Sequence, residues 1–239
     1  MKFKKPNQHG VWAMLIMPFL FGIFAGVFSL YHLLFITGWF LVFFAVDNLL
    51  FYIKKRKKDK GYLLSAGMFG GLAVLCLLLL VIHQPALLFF FGMMISFGGL
   101  NIYFASIRDE RNVLNDLSAV TIFSIAGCIS YFIGREVFDG EMVKVFIFSF
   151  LYFVGTILYV KTMIREKRNK KYKWLSYSYH LLLVVAGFLC HILIGMAVIP
   201  SLMRAVMFYG KNYKPMKIGL VEIANACFVT LMVGLYFLK

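Results

Sequence analysis

Acidic residues are scarce in this sequence, and long parts of it carry no charge of either sign. It has 10 Asp and Glu against 25 Lys and Arg, and 62% of its 239 residues are hydrophobic. Residues 61–107 contain no Asp, Glu, Lys or Arg, and residues 11–53 contain only Asp47. A soluble fold of this size could not hide so much apolar surface, because its exterior must carry enough polar groups. The composition therefore predicts a membrane protein.

The sequence also lacks the spacings that mark common catalytic, metal and disulfide sites. Its four cysteines lie in apolar stretches without a CxxC pair, so we interpret them as small core residues. His180 and His191 would lie about 16 Å apart on one continuous helix, too far to share a metal ion. No Walker loop, GxSxG, HExxH or Asp-rich cluster occurs. We therefore predict no metal and no cofactor, and no catalytic residue can be assigned.

The apolar stretches have the length of helices that cross a membrane. A hydrocarbon layer of about 30 Å requires roughly 20 helical residues. We predict an all-α bundle of about nine transmembrane helices, which form a single membrane domain over residues 1–239. The predicted spans are 11–30, 32–53, 62–82, 85–107, 115–134, 143–164, 174–189, 191–209 and 217–238.

Basic residues mark the loops on one side of the predicted bundle. With nine spans, 22 of the 25 Lys and Arg residues fall on the side of the N-terminus, six of them within residues 54–60. Cytoplasmic loops of membrane proteins are rich in Lys and Arg, so we predict a cytoplasmic N-terminus and the bacterial cytoplasmic membrane as location. Because these cations lie in loops between spans rather than along one face, we interpret them as topology signals and predict no nucleic-acid partner. The apolar composition predicts the lipid bilayer as the partner of most of the surface.

The stretch Trp174–Met203 allows two interpretations, one long tilted helix or a hairpin of two short ones. It contains no formal charge, so composition alone does not separate them. A single helix would leave 19 basic residues inside and 6 outside, which fits the positive-inside rule less well than the hairpin. We therefore predict the hairpin.

Several polar side chains lie inside the spans, in the halves nearest the basic loops. The short carboxylates of Asp47 and Glu222 cannot reach the headgroups, so they either pair with a cation such as Arg204 or Lys161 or line a wet cavity. Asp116 follows a predicted helix start and is interpreted as a capping residue. The distribution predicts a polar cavity open toward the cytoplasm. The predicted ligand-binding residues are Asp47, Asn48, Asn101, Lys161, Arg165, His180, Arg204 and Glu222.

Four segments of the chain resemble the YwiC-like family of bacterial membrane proteins. They are NQHGVWAMLIMPFLFGIFAG at 7–26, RDERNVLNDL at 108–117, YVKTMIREKR at 159–168 and KPMKIGLVEIA at 214–224. These segments are spread over the whole chain. The resemblance implies a membrane protein and points to no particular reaction.

In topology the predicted chain is also similar to the UbiA-type prenyltransferases, which have nine helices and a cavity that faces the cytoplasm. This resemblance implies Asp-rich motifs for magnesium and a prenyl diphosphate after the second and sixth helices. Here those places read DNLLFYIKKRKKDK at 47–60 and YVKTMIREKRNKK at 159–171. Because cations replace most carboxylates, the usual magnesium ligands are missing. Lys161 and Arg165, four residues apart, are instead predicted to hold a phosphate or another anionic head group directly.

The sequence leaves three functions open. In the first, the cavity binds an anionic isoprenoid, a quinone or an anionic lipid, either as an enzyme with atypical chemistry or as a binding protein. The second is a proton-coupled transporter of small molecules, which would use intramembrane carboxylates and helices broken at Pro18 and Pro200. The third is an assembly partner of another membrane complex, whose protein partners the sequence does not identify.

Overall fold

The computed structural model describes residues 9–54 and 59–239, and within these ranges the chain forms nine α-helices and no strand. The predicted all-α class and helix number are confirmed. Seven helices are long and apolar enough to cross a membrane, while α1 and α8 are apolar and shorter. The helices are α1 His9–Ala25, α2 Tyr31–Lys54, α3 Lys60–His83, α4 Leu87–Ser106, α5 Val113–Arg135, α6 Gly140–Ile164, α7 Lys170–Cys190, α8 Ile192–Phe208 and α9 Pro215–Phe237.

Capping side chains move two helix starts away from the predicted positions. α5 begins at Val113 because the Asn112 side chain accepts a hydrogen bond from the backbone N–H of Leu114. α7 begins at Lys170, four residues before the predicted span, because Asn169 accepts from the N–H of Lys171 in the same way. The capping role predicted for Asp116 is therefore wrong, since Asn112 caps α5.

The stretch that was ambiguous in the sequence is a hairpin of α7 and α8. Its turn is at His191, whose backbone is extended and whose Nδ1 accepts a hydrogen bond from the N–H of Leu193 at 3.1 Å. Gly187 and Gly195 face each other beside the turn, and a Cβ at Gly187 would lie only 3.0 Å from the Gly195 Cα. Small residues of this kind let two helices approach closely. The predicted hairpin is confirmed.

α5 is the most buried of the long helices and occupies the centre of the bundle. α1 packs against it and against α9, and the core contains Phe21, Ile129 and Val145. The outer surfaces of α3 and α4 are apolar, which fits contact with the lipid bilayer. Cys190 of α7 and Cys227 of α9 are exposed, so interpreting all four cysteines as core residues was wrong.

Side-chain contacts tie the loops together at each end of the bundle. Lys54 at the end of α2 lies 2.5 Å from Glu110 in the α4–α5 loop, and Lys167 in the α6–α7 loop lies 3.4 Å from Asn212 in the α8–α9 loop. We call the end that holds these loops the basic end. At the opposite end Gln84 donates to Glu136 at 2.8 Å and so joins the α3–α4 loop to the end of α5. The basic loops of the described chain thus gather at one end.

Candidate functional site

A buried ion pair joins α8 to α9 in the half of the bundle nearest the basic end. Arg204 of α8 and Glu222 of α9 contact each other directly, and each side chain is only 4% exposed. The second terminal nitrogen of Arg204 donates to Thr156 Oγ1 of α6 at 3.1 Å. The guanidinium carbon also lies 4.8 Å from the centre of the Tyr159 ring. Arg204 therefore connects three helices.

A second set of hydrogen bonds extends this site by one helical turn. The Asn225 side chain donates to the Tyr152 hydroxyl and to Ser201 Oγ, each at 2.9 Å. Helical spacing explains the arrangement, because residues three or four apart share a face. We call this group the polar cluster; it consists of Tyr152, Thr156 and Tyr159 of α6, Ser201 and Arg204 of α8, and Glu222 and Asn225 of α9.

Several polar atoms of the cluster are buried without a protein partner in the ranges that the structure describes. They are Arg204 Nε, Glu222 Oε2, the Tyr159 hydroxyl and Asn225 Oδ1. Buried polar atoms are normally hydrogen-bonded, and within a membrane the demand for a partner is stronger because lipid offers none. The cluster therefore keeps hydrogen-bonding capacity that its own side chains do not use.

His180 of α7 lies at the edge of the polar cluster. Its imidazole is buried, and Nδ1 lies 2.7 Å from the backbone oxygen of Ser176. The other ring nitrogen, Nε2, has no partner among the described residues. Nε2 faces Gly155 of α6, where an added Cβ would lie 3.2 Å away, and Gly155 precedes Thr156 of the cluster.

The structure does not bring Lys161 and Arg165 together as a clamp. Lys161 Nζ lies 2.9 Å from Asp116 Oδ2 of α5 and donates to the backbone oxygen of Arg111 at 3.0 Å. Arg165 lies beyond the last residue of α6 and is exposed. The backbone N–H of Arg165 still donates to the Lys161 oxygen, so the helical spacing persists, but the Lys161 side chain is engaged with Asp116 and Arg111 while Arg165 is exposed.

The three remaining predicted residues lie elsewhere in the bundle. Asn48 of α2 is buried and donates to the Phe44 backbone oxygen of its own helix at 2.8 Å, next to a half-buried Asp47. Asn101 of α4 donates to Ser118 Oγ of α5 at 2.9 Å. α2 and α4 pack with α5, whereas the polar cluster lies among α6, α8 and α9. Of the eight predicted residues the structure therefore groups His180, Arg204 and Glu222.

Sequence reasoning missed most of the hydrogen-bonding partners in the site. Hydroxyl groups are common in membrane helices, so Tyr152, Thr156 and Ser201 carried no distinctive signal. The spacing of Tyr152, Thr156 and Tyr159 by four and three residues was the available clue to a polar face on α6. Among the residues described, no group of three His, Cys, Asp or Glu side chains is placed to hold a metal ion.

Comparison with known proteins finds relatives that cover the whole chain. The family model described as YwiC-like protein matches residues 6–131. Over 244 residues, 34% are identical to "Uncharacterized protein YwiC" of Bacillus subtilis (strain 168), with 100% of both chains covered. An uncharacterized protein of Haemophilus influenzae is 33% identical over 237 residues, which cover 98% of this chain and 99% of that protein. No solved structure matches the chain.

Proposed function

This chain belongs to the YwiC-like protein family, and from that premise we propose that it binds the polar head of an amphipathic isoprenoid or lipid in the bacterial cytoplasmic membrane. The binding site is the polar cluster among α6, α8 and α9. The hydrocarbon tail remains between the helices or in the surrounding lipid.

The observation that carries this proposal is the buried Arg204–Glu222 pair with its unused polar atoms. Removing two charges from water is unfavourable, and their mutual attraction often fails to offset that desolvation. Well-packed apolar side chains of similar size often stabilise a structure as well as a buried ion pair does. Ionisable residues inside membrane spans mark functional sites as a rule, so we assign this pair to ligand binding.

The position of the cluster indicates an amphipathic ligand. Arg204 is four residues from the end of α8, so a head group can enter from the basic end while its tail stays in the membrane. The exposed cations Lys211 and Lys217 at that end favour anionic heads, either of an isoprenoid or of a lipid. Arg204 Nε is a free donor for such a head. Because the charges of Arg204 and Glu222 already neutralise each other, an anionic head must compete with Glu222 for Arg204.

The test is native mass spectrometry of protein purified from bacterial membranes in mild detergent. The variant is the double substitution Arg204→Gln with Glu222→Gln, which removes both charges and leaves neither ion unpaired. Arg135→Gln is the control, because it removes an exposed cation at the opposite end of the bundle. We expect wild type and control to retain a bound amphiphile and the double variant to lose most of it. Absence of bound amphiphile in wild type, or full retention in the double variant, contradicts the proposal.

Proton-coupled transport is the second candidate function. Glu222 supports it, because a buried carboxylate oxygen without a protein partner can accept a proton. α8 also contains Pro200, four residues before Arg204, which weakens the helix at that point. Liposomes that contain the protein and a pH-sensitive dye provide the test. Proton flux in wild type that Glu222→Gln abolishes would favour transport, and no flux in either would favour binding.

A further inference from the structure

We propose that His180 accepts a hydrogen bond from a hydroxyl group on the bound head group, so that the ligand belongs to a class of amphiphiles with an O–H donor in the head. This inference rests on the proposed function and adds the ligand class. Hydroquinones, polyols and singly protonated phosphate esters share this chemistry. Quinones and fully esterified glycerides lack it.

The hydrogen bond at Nδ1 determines what Nε2 can do. A backbone carbonyl only accepts hydrogen bonds, so the nitrogen that lies 2.7 Å from the Ser176 oxygen must carry the hydrogen. In the neutral imidazole, Nε2 is then an acceptor. A second proton would place another positive charge in a buried site beside Arg204, where none of the described contacts of His180 is with a carboxylate. His180 therefore offers a lone pair at Nε2.

No protein group in the described helices uses the lone pair of Nε2. The atom is buried, and no donor in the described helices reaches it. It packs closely against Gly155, where an added Cβ would lie 3.2 Å away. A buried acceptor without a donor is unfavourable. A hydroxyl group on the ligand would supply the donor.

In the proposed site one ligand contacts both His180 and Arg204, which touch adjacent residues of α6. His180 Nε2 faces Gly155, and Arg204 donates to Thr156, the next residue of α6. The free Nε–H of Arg204 requires an acceptor, whereas Nε2 of His180 requires a donor. A head with a hydroxyl group and a second oxygen satisfies both. Because the site requires both a hydrogen-bond donor and an acceptor from the ligand, we favour heads that carry a hydroxyl group over heads that only accept hydrogen bonds.

The experiment compares two probes that differ by two electrons and two protons, so that only one of them carries O–H groups. They are the hydroquinone and quinone forms of one short-chain prenylated naphthoquinone, added without oxygen to delipidated protein in nanodiscs and measured by native mass spectrometry. A monoacylglycerol and farnesyl phosphate, the latter with EDTA, form two further arms. We expect the hydroquinone to bind about tenfold more tightly than the quinone, because the quinone leaves Nε2 unpaired. If a polyol or phosphate is the natural head, its own arm binds and depends on His180.

Two variants and a control complete the design. His180→Phe keeps an aromatic ring and removes the acceptor, and Gly155→Ala places a methyl group over Nε2. Both should abolish the preference for O–H heads. His83→Phe is the control, because His83 is an exposed histidine at the opposite end of the bundle. Should His180→Phe fail to fold, Gly155→Ala and the comparison of hydroquinone with quinone on wild type still test the inference.

The outcomes separate this inference from the proposed function. The inference is overturned if hydroquinone and quinone bind equally and neither monoacylglycerol nor farnesyl phosphate depends on His180 for binding. It is also overturned if the O–H preference survives both variants. Probes that bind wild type and His180→Phe equally leave the proposed function standing. Failure of every probe to bind contradicts both.

Discussion

Arg204 and Glu222 each lower the free-energy cost of burying the other's charge inside the membrane. Each side chain is 4% exposed, so neither charge has water to stabilise it. The partner supplies the opposite charge, and Thr156 and the Tyr159 ring supply further contacts to Arg204. The pair is therefore a unit, and the effect of changing one member depends on the other.

A double-mutant cycle tests this dependence. Arg204→Gln leaves Glu222 unpaired, and we expect it to reduce the free energy of unfolding by about 3–5 kcal/mol. Glu222→Gln leaves the arginine charge unpaired and should also destabilise strongly. The double variant should lose much less unfolding free energy than the two single variants lose together, because no unpaired charge remains. Thermal unfolding in detergent measures all four proteins, with Lys217→Gln expected within about 0.5 kcal/mol of wild type. Additive losses would show that the two side chains are not coupled.

At the scale of the elements, glycines set the distance between α1 and α5. A Cβ at Gly22 of α1 would lie 2.5 Å from both the Gly127 oxygen and Ser130 Cβ of α5. The backbones are therefore in direct contact at this crossing, and Ser130 Oγ donates to the Phe19 oxygen at 2.8 Å. Gly67 on the outer face of α3 has no atom within 4 Å of its Cβ position.

This contrast predicts opposite effects of the same substitution. Gly22→Ala forces α1 away from α5, and we expect a loss of about 1–3 kcal/mol in unfolding free energy. Gly67→Ala adds a methyl group toward lipid and should be neutral or stabilising by up to about 1 kcal/mol, because alanine is the better helix former. Melting temperatures in detergent compare the two variants. Equal melting temperatures for both would mean that the α1–α5 crossing does not depend on Gly22.

The start of α6 supplies a second prediction at this scale. Asp139 caps the helix by accepting from the N–H groups of Glu141 and Met142, and the Tyr131 hydroxyl donates to it at 2.8 Å. Desolvation acts to raise the pKa of Asp139, but these hydrogen bonds outweigh it and lower the pKa below its ordinary value of 3.8. A carboxyl group with a lowered pKa stabilises the folded state above the unfolded pKa, and this contribution is lost as pH falls through the folded value.

Asp139→Ala should therefore reduce stability by about 1 kcal/mol at neutral pH, as expected for loss of a helix cap. The difference from wild type should narrow as pH falls below about 3.8, where the carboxyl group of the unfolded chain takes up a proton, and should be lost below the lower pKa of the folded state. Asp139→Asn serves as control, because an amide caps a helix without titrating. Thermal unfolding between pH 3 and 7 measures the difference. A difference between wild type and Asp139→Ala that stays constant over this range would contradict the role of the carboxylate.

For the whole molecule, the division into a basic end and an opposite end determines the expected orientation. Asn212 lies at the basic end beside Lys167, and Val137 lies in the α5–α6 loop at the opposite end. Basic loops of bacterial membrane proteins stay in the cytoplasm. We therefore expect the basic end to face the cytoplasm, as the charge distribution in the sequence also predicts.

Cysteine labelling tests this orientation after the four native cysteines are replaced. In intact cells, a membrane-impermeant thiol reagent should leave Asn212→Cys unlabelled and should label Val137→Cys. Permeabilised cells should show both labelled, which controls for access to the thiol. Labelling of Asn212→Cys in intact cells, with Val137→Cys unlabelled, would show an orientation opposite to the predicted one. Labelling of both positions in intact cells would contradict the placement of these loops at opposite ends.

The fold was largely predictable from the sequence, because its main signals are local. Long uncharged stretches require helices in lipid, and charged loops separate those stretches. Even the hairpin of α7 and α8 followed from counting the basic residues on each side. Helix starts moved by up to four residues because the caps Asn112 and Asn169 act through single hydrogen bonds, which composition does not reveal.

The sequence by itself determined that this chain is a membrane protein of about nine helices, and it identified Arg204, Glu222 and His180 as candidates. Only the tertiary structure decided which polar residues meet. It paired Lys161 with Asp116 and left Arg165 exposed, and it placed Asn101 beside Ser118. The reason is that the cost of a polar group in lipid depends on its own position along a helix, whereas its partner depends on how separate helices pack. Residues 156, 204 and 222 are distant in sequence and become neighbours only when α6, α8 and α9 come together.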